Sequence, residues 1–402
     1  MKKGKGDNLD CQNTRVYNYI LIENNIYINV AQSIIGLHFY LFNNGKPFTF
    51  LERTTRSQLI NRLPSILIRF VRVSQFTYAF YVEKRKYKNK VPLSLITTNH
   101  YGQCLLKLRQ GEYKVFNLKE QKVKTILPDY ISFLEAENRI SSTKEISQYE
   151  FAPDLINWSV KERYLTEEYI NFNRPSYNFS SIEKVYMEIF PIIKKIMTVK
   201  NTQTLEYKKF MQERVENLSK VFQKMNCHKS RCADEIAKIR DFCDNVIKIL
   251  ENNQSDTTIT LVFSHGDFWE GNILTKNGDT RVIDWNTHKH RSCYFDFYFM
   301  LFMLTTKNSH MDKINQLGLI KLSRVMDSLF ENFYNSLTKS GFFNQDLLSS
   351  LKNSNIYRYL FYMELIILKF PENNITIEQI NEVNTWVKRF KLYEATVKKN
   401  GK

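Results

Sequence analysis

The sequence predicts an α+β chain of two lobes, a small antiparallel-sheet lobe followed by a larger, mostly helical one. Three observations predict it. Three runs of strand length, Gln103–Leu108, Tyr113–Leu118 and Lys122–Leu127, are separated by connections short enough for hairpins. From about residue 178 onward, apolar residues recur at helical spacing. One strand-rich stretch, 257–285, interrupts those helices and holds the residues best suited to chemistry.

These patterns divide the 402 residues into a basic N-terminal segment of unknown role (1–95), a small lobe (96–172) and a large helical lobe (173–402) with its loop at 264–285. In the small lobe the strands are joined through Arg109-Gln110-Gly111 and Lys119-Glu120-Gln121. Pro128 is expected to open a helix through Ile140, with Ile131, Leu134 and Asn138 on one face. Tyr164–Ile170 reads as a fourth strand. In the large lobe, Ile182, Val185, Tyr186, Ile189, Ile193 and Ile196 mark one amphipathic helix, and Ile236, Ile239, Cys243, Val246 and Leu250 another. Helical patterns continue over 312–338, 344–370 and 376–398. Such stripes are read as core packing.

Composition narrows the class. Hydrophobic residues at 43% suffice for real cores, and 12 Gly with 8 Pro rule out fibrous or low-complexity chains. The run Ile26–Phe42 is too short and too interrupted to span a bilayer, and no apolar stretch follows the lysines of 1–10. A cytoplasmic chain, peripheral at the inner membrane surface in one version, is the expectation. Of the net +17, the first hundred residues carry +10, with 15 Lys+Arg against 5 Asp+Glu. Lys84, Arg85, Lys86, Lys88 and Lys90 form the densest cluster. That field suits an anionic membrane surface or polyanionic glycan, and equally a solvated basic face; nucleic acid is disfavoured because it explains none of the motif below. Six cysteines, among them Cys227 and Cys232 beside His228, lack a second ligand pair at zinc spacing and read as free thiols.

The chemistry lies in Thr258–Trp285. A strand alternating Ile259, Leu261 and Phe263 leads into Ser264-His265-Gly266-Asp267, and Asn272 follows five residues after Asp267. Asn277-Gly278 between apolar runs signals a hairpin, which returns the chain so that Asn272 and Asp284 can meet. Phosphoryl transfer asks for such a set. Hard oxygens, an amide from Asn272 and a carboxylate from Asp284, suit Mg²⁺. A separate carboxylate, Asp267, can orient an acceptor hydroxyl and take its proton.

His-Gly-Asp-x-x-x-x-Asn at 265–272, followed by Ile-Asp-Trp at 283–285, resembles the aminoglycoside phosphotransferase and choline kinase family, of protein-kinase-like fold. The resemblance covers roughly residues 100–370. It implies Asp267 as catalytic base, Asn272 and Asp284 as Mg²⁺ ligands, and His265 and Asp296 as structural supports. In the small lobe it implies a strand lysine that meets the nucleotide phosphates and a helix glutamate. Lys124 with Glu137 is the favoured pair, though Lys122 shares the strand face and Glu135 is near. Gly111 is the one glycine placed for the phosphate loop, a departure from a glycine-rich pattern. Glu168 to Asn171 would form the adenine-facing hinge, with Glu168 and Ile170 contributing backbone. The resemblance thus implies a small-molecule kinase using ATP or GTP and Mg²⁺. Its acceptor would be a sugar, an amino alcohol or a surface-glycan precursor. A different class stays open: a catalytically weak, nucleotide-binding module whose basic N-terminal region binds a polyanion.

Overall fold

The structure is a computed structural model that describes residues 15–51, 64–108, 111–177, 182–252, 258–306, 314–344, 347–348, 351–370 and 375–400. Cys11 and the Arg109-Gln110 part of the expected turn lie outside the described residues. The chain falls into two compact units. One takes in the described residues up to Arg174 together with Leu274–Arg281; the other comprises Pro175–Ile273 and the residues from Val282 onward.

The first unit is built on eight strands: β1 (Tyr17–Glu23), β2 (Ile26–Asn29), β3 (Leu95–Thr98), β4 (Cys104–Lys107), β5 (Tyr113–Asn117), β6 (Lys122–Ile126), β7 (Leu155–Ser159) and β8 (Tyr164–Glu168). They pair antiparallel in the order β3-β1-β2-β4-β5-β6-β8-β7. Strand alternation sorts the side chains. Ile20, Ile26, Ile28, Cys104 and Phe116 face one core, while Tyr19, Tyr27, Leu105 and Val115 face a second, smaller one. The first core is closed by α1 (Ile34–Asn44) and α2 (Ser65–Lys88), which contribute Leu37, Leu41, Val73, Phe76 and Phe80.

The described residues among the first 95 are therefore no separate segment. β2 pairs with β4, so the N-terminal hairpin extends the sheet that the sequence predicted from β4 onward. The three expected strands at 103–127 are found as β4, β5 and β6, and Tyr164–Glu168 as β8. The helix after them differs. Ser132 Oγ accepts from Glu135 N at 3.1 Å, so α3 (Phe133–Ile146) starts at Phe133 rather than near Pro128. That start turns Ala136 and Ile140 inward and leaves Leu134 exposed.

The second unit is mostly helical: α4 (Ile182–Met197), α5 (Tyr207–Met225), α6 (Lys229–Asn252), α7 (Phe295–Leu304), α8 (Gln316–Lys339), α9 (Ser354–Lys369) and α10 (Ile377–Asn400). The stripes read in α4 and α6 are buried as the spacing predicted, except that Ile182 and Tyr186 of α4 are half-buried. At its heart lies α7, apolar but for Asp296, whose Phe297 stacks on Phe333 at 5.1 Å and whose Phe302 packs edge-on against Phe390 at 5.2 Å. A three-stranded sheet runs β13-β10-β9, from β9 (Gln203–Glu206), β10 (Thr258–Ser264) and β13 (Lys289–Ser292). The central strand, β10, is buried from Ile259 to Ser264 and delivers the chain to His265. The lobes expected from the sequence, one built on an antiparallel sheet and a larger, mostly helical one, are thus both present.

Candidate active site

The loop after β10 is held by one buried carboxylate. Asp296, in the first turn of α7, accepts from Ser264 Oγ at 2.9 Å, His265 N at 2.7 Å and Gly266 N at 2.9 Å. Gly266 has φ +84°, and a Cβ there would meet Thr287 O at 2.6 Å and Arg291 Cζ at 2.7 Å. Glycine is required on both counts. The chain turns sharply after Gly266 and presents Asp267.

His265 ties the two ends of the motif together. Its ring is fully buried, and burial pushes its pKa down to about 4, so the imidazole is neutral. Asp267 N donates to Nδ1 at 3.2 Å, so the proton must sit on Nε2, which faces Ile283 O at 3.0 Å. A second link runs parallel, as Ile283 N donates to Asn272 O at 2.9 Å. The hairpin between them, β11 (Ile273–Lys276) and β12 (Asp279–Val282), turns through Asn277 at φ 52° and Gly278 at φ 86°. Two successive positive φ angles are what an Asn-Gly hairpin turn needs.

Asn272 Nδ2 donates to Asp267 O at 2.8 Å and to Asp267 Oδ2 at 3.1 Å. The amide's donors are thereby spent on Asp267, leaving its oxygen to act as an acceptor or ligand. Asp284 is exposed and sits at φ 64°, a conformation uncommon outside glycine. On either side Val282 and Trp285 are buried, and Trp285 Nε1 donates to Val282 O at 2.7 Å. Trp285 also packs edge-on against His265 with centroids 4.4 Å apart. Thus the same histidine braces the approach to Asp267 and the approach to Asp284. An amide oxygen and a carboxylate beside a second carboxylate fit Mg²⁺, which takes few protein ligands and keeps waters. Burial holds the Asp267 carboxyl above the usual carboxylate range, opposed by the Lys369 charge and the Asn272 hydrogen bond.

The residues expected to hold nucleotide all belong to the first unit. Lys124 Nζ lies 3.3 Å from His100 Nδ1 and 3.9 Å from the centroid of the Tyr164 ring. Burial lowers the pKa of Lys124, and burial with the Lys124 charge brings His100 down to about 4. A neutral His100 accepts from the ammonium. Lys122 instead pairs with Glu120 in the exposed β5–β6 turn at 3.0 Å. This separates the two lysines that strand alternation could not. Among the described residues no ion pair joins Lys124 to Glu137. The rotation of α3 that buries Ala136 and Ile140 turns Glu137 to solvent, and Glu135 is engaged by Arg139 at 2.9 Å. Gly111 has φ 77° in the β4–β5 turn. Ile170 is buried, and Glu168 lies 3.8 Å from Arg281.

Sequence reasoning missed Arg291, Glu364 and Lys369. Arg291 is buried, and burial pulls its pKa down to about 10 against the nearby charges of Asp296 and Glu364. Glu364 accepts from Ser292 N at 3.1 Å and from Arg214 Nη2 at 3.1 Å, fixing the end of β13 from α9. No motif marks these residues; their roles exist only once distant helices pack. The neutral His265 yields a test. Its pKa falls from 6.5 in the unfolded chain to about 4 in the fold. Between those values only the unfolded chain binds the proton, so stability drops as pH falls from 6.5 to 4 and is fully present above 6.5. The contribution is about 3 kcal/mol. Denaturant titrations across this window should show that excess slope in the parent and not in His265→Gln.

Comparison with known proteins adds the following. The profile of the ecdysteroid kinase-like family matches residues 180–329. No curated protein matches the sequence. Among solved structures, a choline kinase from Streptococcus pneumoniae aligns over 78% of this chain and 98% of its own, at 12% identity and TM-score 0.43. A choline kinase from Cryptosporidium parvum Iowa II aligns over 73% and 89%, at 13% identity and TM-score 0.45. An ethanolamine kinase from Plasmodium vivax aligns over 87% and 99%, at 12% identity and TM-score 0.41. The stretch that holds Asp267, Asn272, Asp284 and Asp296 therefore carries the sequence pattern of the ecdysteroid kinase-like family, and the kinase-like resemblance drawn from His265 to Trp285 is borne out there.

Proposed function

We propose that the chain is a small-molecule kinase that moves the γ-phosphoryl of ATP or GTP to an acceptor hydroxyl. One observation carries the reading: Asp267, Asn272 and the bend at Asp284 are locked to one another through Asn272 Nδ2, His265 and the Asn272–Ile283 backbone bond. In this reading Asp267 orients the hydroxyl and takes its proton as the new O–P bond forms. Asn272 and Asp284 would hold Mg²⁺, which when bound supplies positive charge against the triphosphate. Lys124 would meet the phosphates, Gly111 would lie in their loop, and Glu168 and Ile170 would serve the base through backbone. Sugars, amino alcohols and surface-glycan precursors remain the acceptor classes, and the matched family's name adds a steroid alcohol. For the basic first quarter the reading keeps an anionic surface as partner.

One observation favours the second reading, a catalytically weak nucleotide-binding module: the Lys124–Glu137 ion pair is not formed among the described residues. Turnover against an acceptor panel decides between the two, since the weak module binds nucleotide and transfers nothing.

Asp267→Asn should lower transfer by at least about a hundredfold, the usual contribution of a positioned base, while nucleotide affinity stays near parental. The amide also removes a carboxylate that burial disfavours, so the melting temperature should hold or rise. Undiminished turnover would sink the assignment of Asp267. Asp284→Ala should abolish the Mg²⁺-dependent part of nucleotide binding. Thermal shift with and without Mg²⁺ measures it, and a full Mg·nucleotide shift in the variant would remove Asp284 from the ligand set.

A further inference from the structure

The outer face of α1 and α2 has no part in the site. The two helices run antiparallel: Phe70 of α2 packs against His38 and Phe42 of α1 at 5.6 and 6.3 Å, while Lys84 Nζ donates to Gln32 O just ahead of α1. Their inner faces fill the core with Leu37, Leu41, Val73 and Phe80. Their outer faces are not polar. Ile35 is 85% exposed, Phe39 61%, Ile66 63% and Tyr78 68%.

These residues form one surface. At 100° per residue, Ile66, Phe70, Tyr78 and Tyr81 of α2 share an arc of about 120°, and Arg85 and Lys88 continue it. Ile35 and Phe39 stand one turn apart on α1, on the flank beside the His38–Phe70 contact. Over its length α2 carries six Lys+Arg against the single acid Glu83, and α1 carries no charged residue. Glu83 is already paired with Lys86 at 2.7 Å, and Arg85 and Lys88 form no ion pair among the described residues.

We propose that this face docks on an anionic bilayer surface, with Ile35, Phe39, Ile66 and Tyr78 entering the headgroup boundary and Arg85 and Lys88 meeting lipid charge. Charge complementarity selects the partner. Aromatic and aliphatic side chains beside uncompensated cations are the makeup of helices that lie in the membrane interface. A soluble polyanion would use the cations and gain nothing from Ile35 or Phe39. A second copy of this chain, docked face to face, would oppose Arg85 and Lys88 to their own kind.

The test is flotation of the full chain with vesicles of phosphatidylcholine alone, or of phosphatidylcholine with phosphatidylserine, at low and physiological salt. Binding is expected to the anionic vesicles, weakened by salt. Arg85→Glu/Lys88→Glu should reduce it about tenfold or more at low salt. Ile35→Ser/Phe39→Ser should reduce it by a similar factor at both salts, because apolar insertion is not screened. Far-UV circular dichroism checks that these exposed-site variants fold. Three results would overturn the proposal: no preference for anionic vesicles, heparin binding that Ile35→Ser/Phe39→Ser leaves intact alongside unchanged vesicle binding, or a concentration-dependent dimer abolished by Ile35→Ser/Phe39→Ser.

Discussion

A buried carboxylate depends on the donors around it, and Asp296 is such a group. Burial raises its pKa, while the His265 and Gly266 amides, the Ser264 hydroxyl and the Arg291 charge pull the other way. Three hydrogen bonds from consecutive residues, one from a side-chain hydroxyl and two from successive backbone amides, fix the start of the loop, which a loop cannot do for itself. Asp296 is in turn fixed by α7, one of the most thoroughly buried elements of the second unit. The position of Asp267 is therefore set by helix packing rather than by the loop's own preference.

From that anchor the rest follows by short links. Because Gly266 takes a left-handed turn, Asp267 N reaches His265 Nδ1, and the same ring's other nitrogen reaches Ile283. The Asn-Gly hairpin brings Ile283 back beside Asn272, and Trp285 closes the bend that exposes Asp284. Each polar contact uses a neutral or fully bonded buried group. What remains turned outward is an amide oxygen and two carboxylates, the groups that a cation and an acceptor hydroxyl require.

Much of this was legible in the sequence, because it is local. The spacing from His265 to Asn272, the Asn277-Gly278 turn and Ile283-Asp284-Trp285 all lie within a few residues of one another. β4, β5 and β6 could be read from alternation for the same reason. What escaped depends on distance along the chain. β1 and β2 join the sheet by pairing β2 with β4, and no local pattern announces a partner. Arg291, Glu364 and Lys369 gain their roles only when α7 and α9 pack. The face of α3 was misread because the start of a helix sets its rotation, and the Ser132 cap moved that start and turned Glu137 outward. Likewise, the exposed cations of α2 were visible in the sequence, but the apolar surface beside them exists only once α1 and α2 pack side by side.

The central claim is that the Asp296 carboxylate holds the loop that presents Asp267, and amide hydrogen exchange at His265 and Gly266 tests it most directly. Both amides are buried and bonded to that carboxylate, so they should exchange only through the largest unfolding event of the second unit, at rates close to those of β10. In Asp296→Ala the same two amides should exchange far faster while β10 remains protected. Rapid exchange at His265 and Gly266 in the parent, or no change on removing Asp296, would contradict the claim.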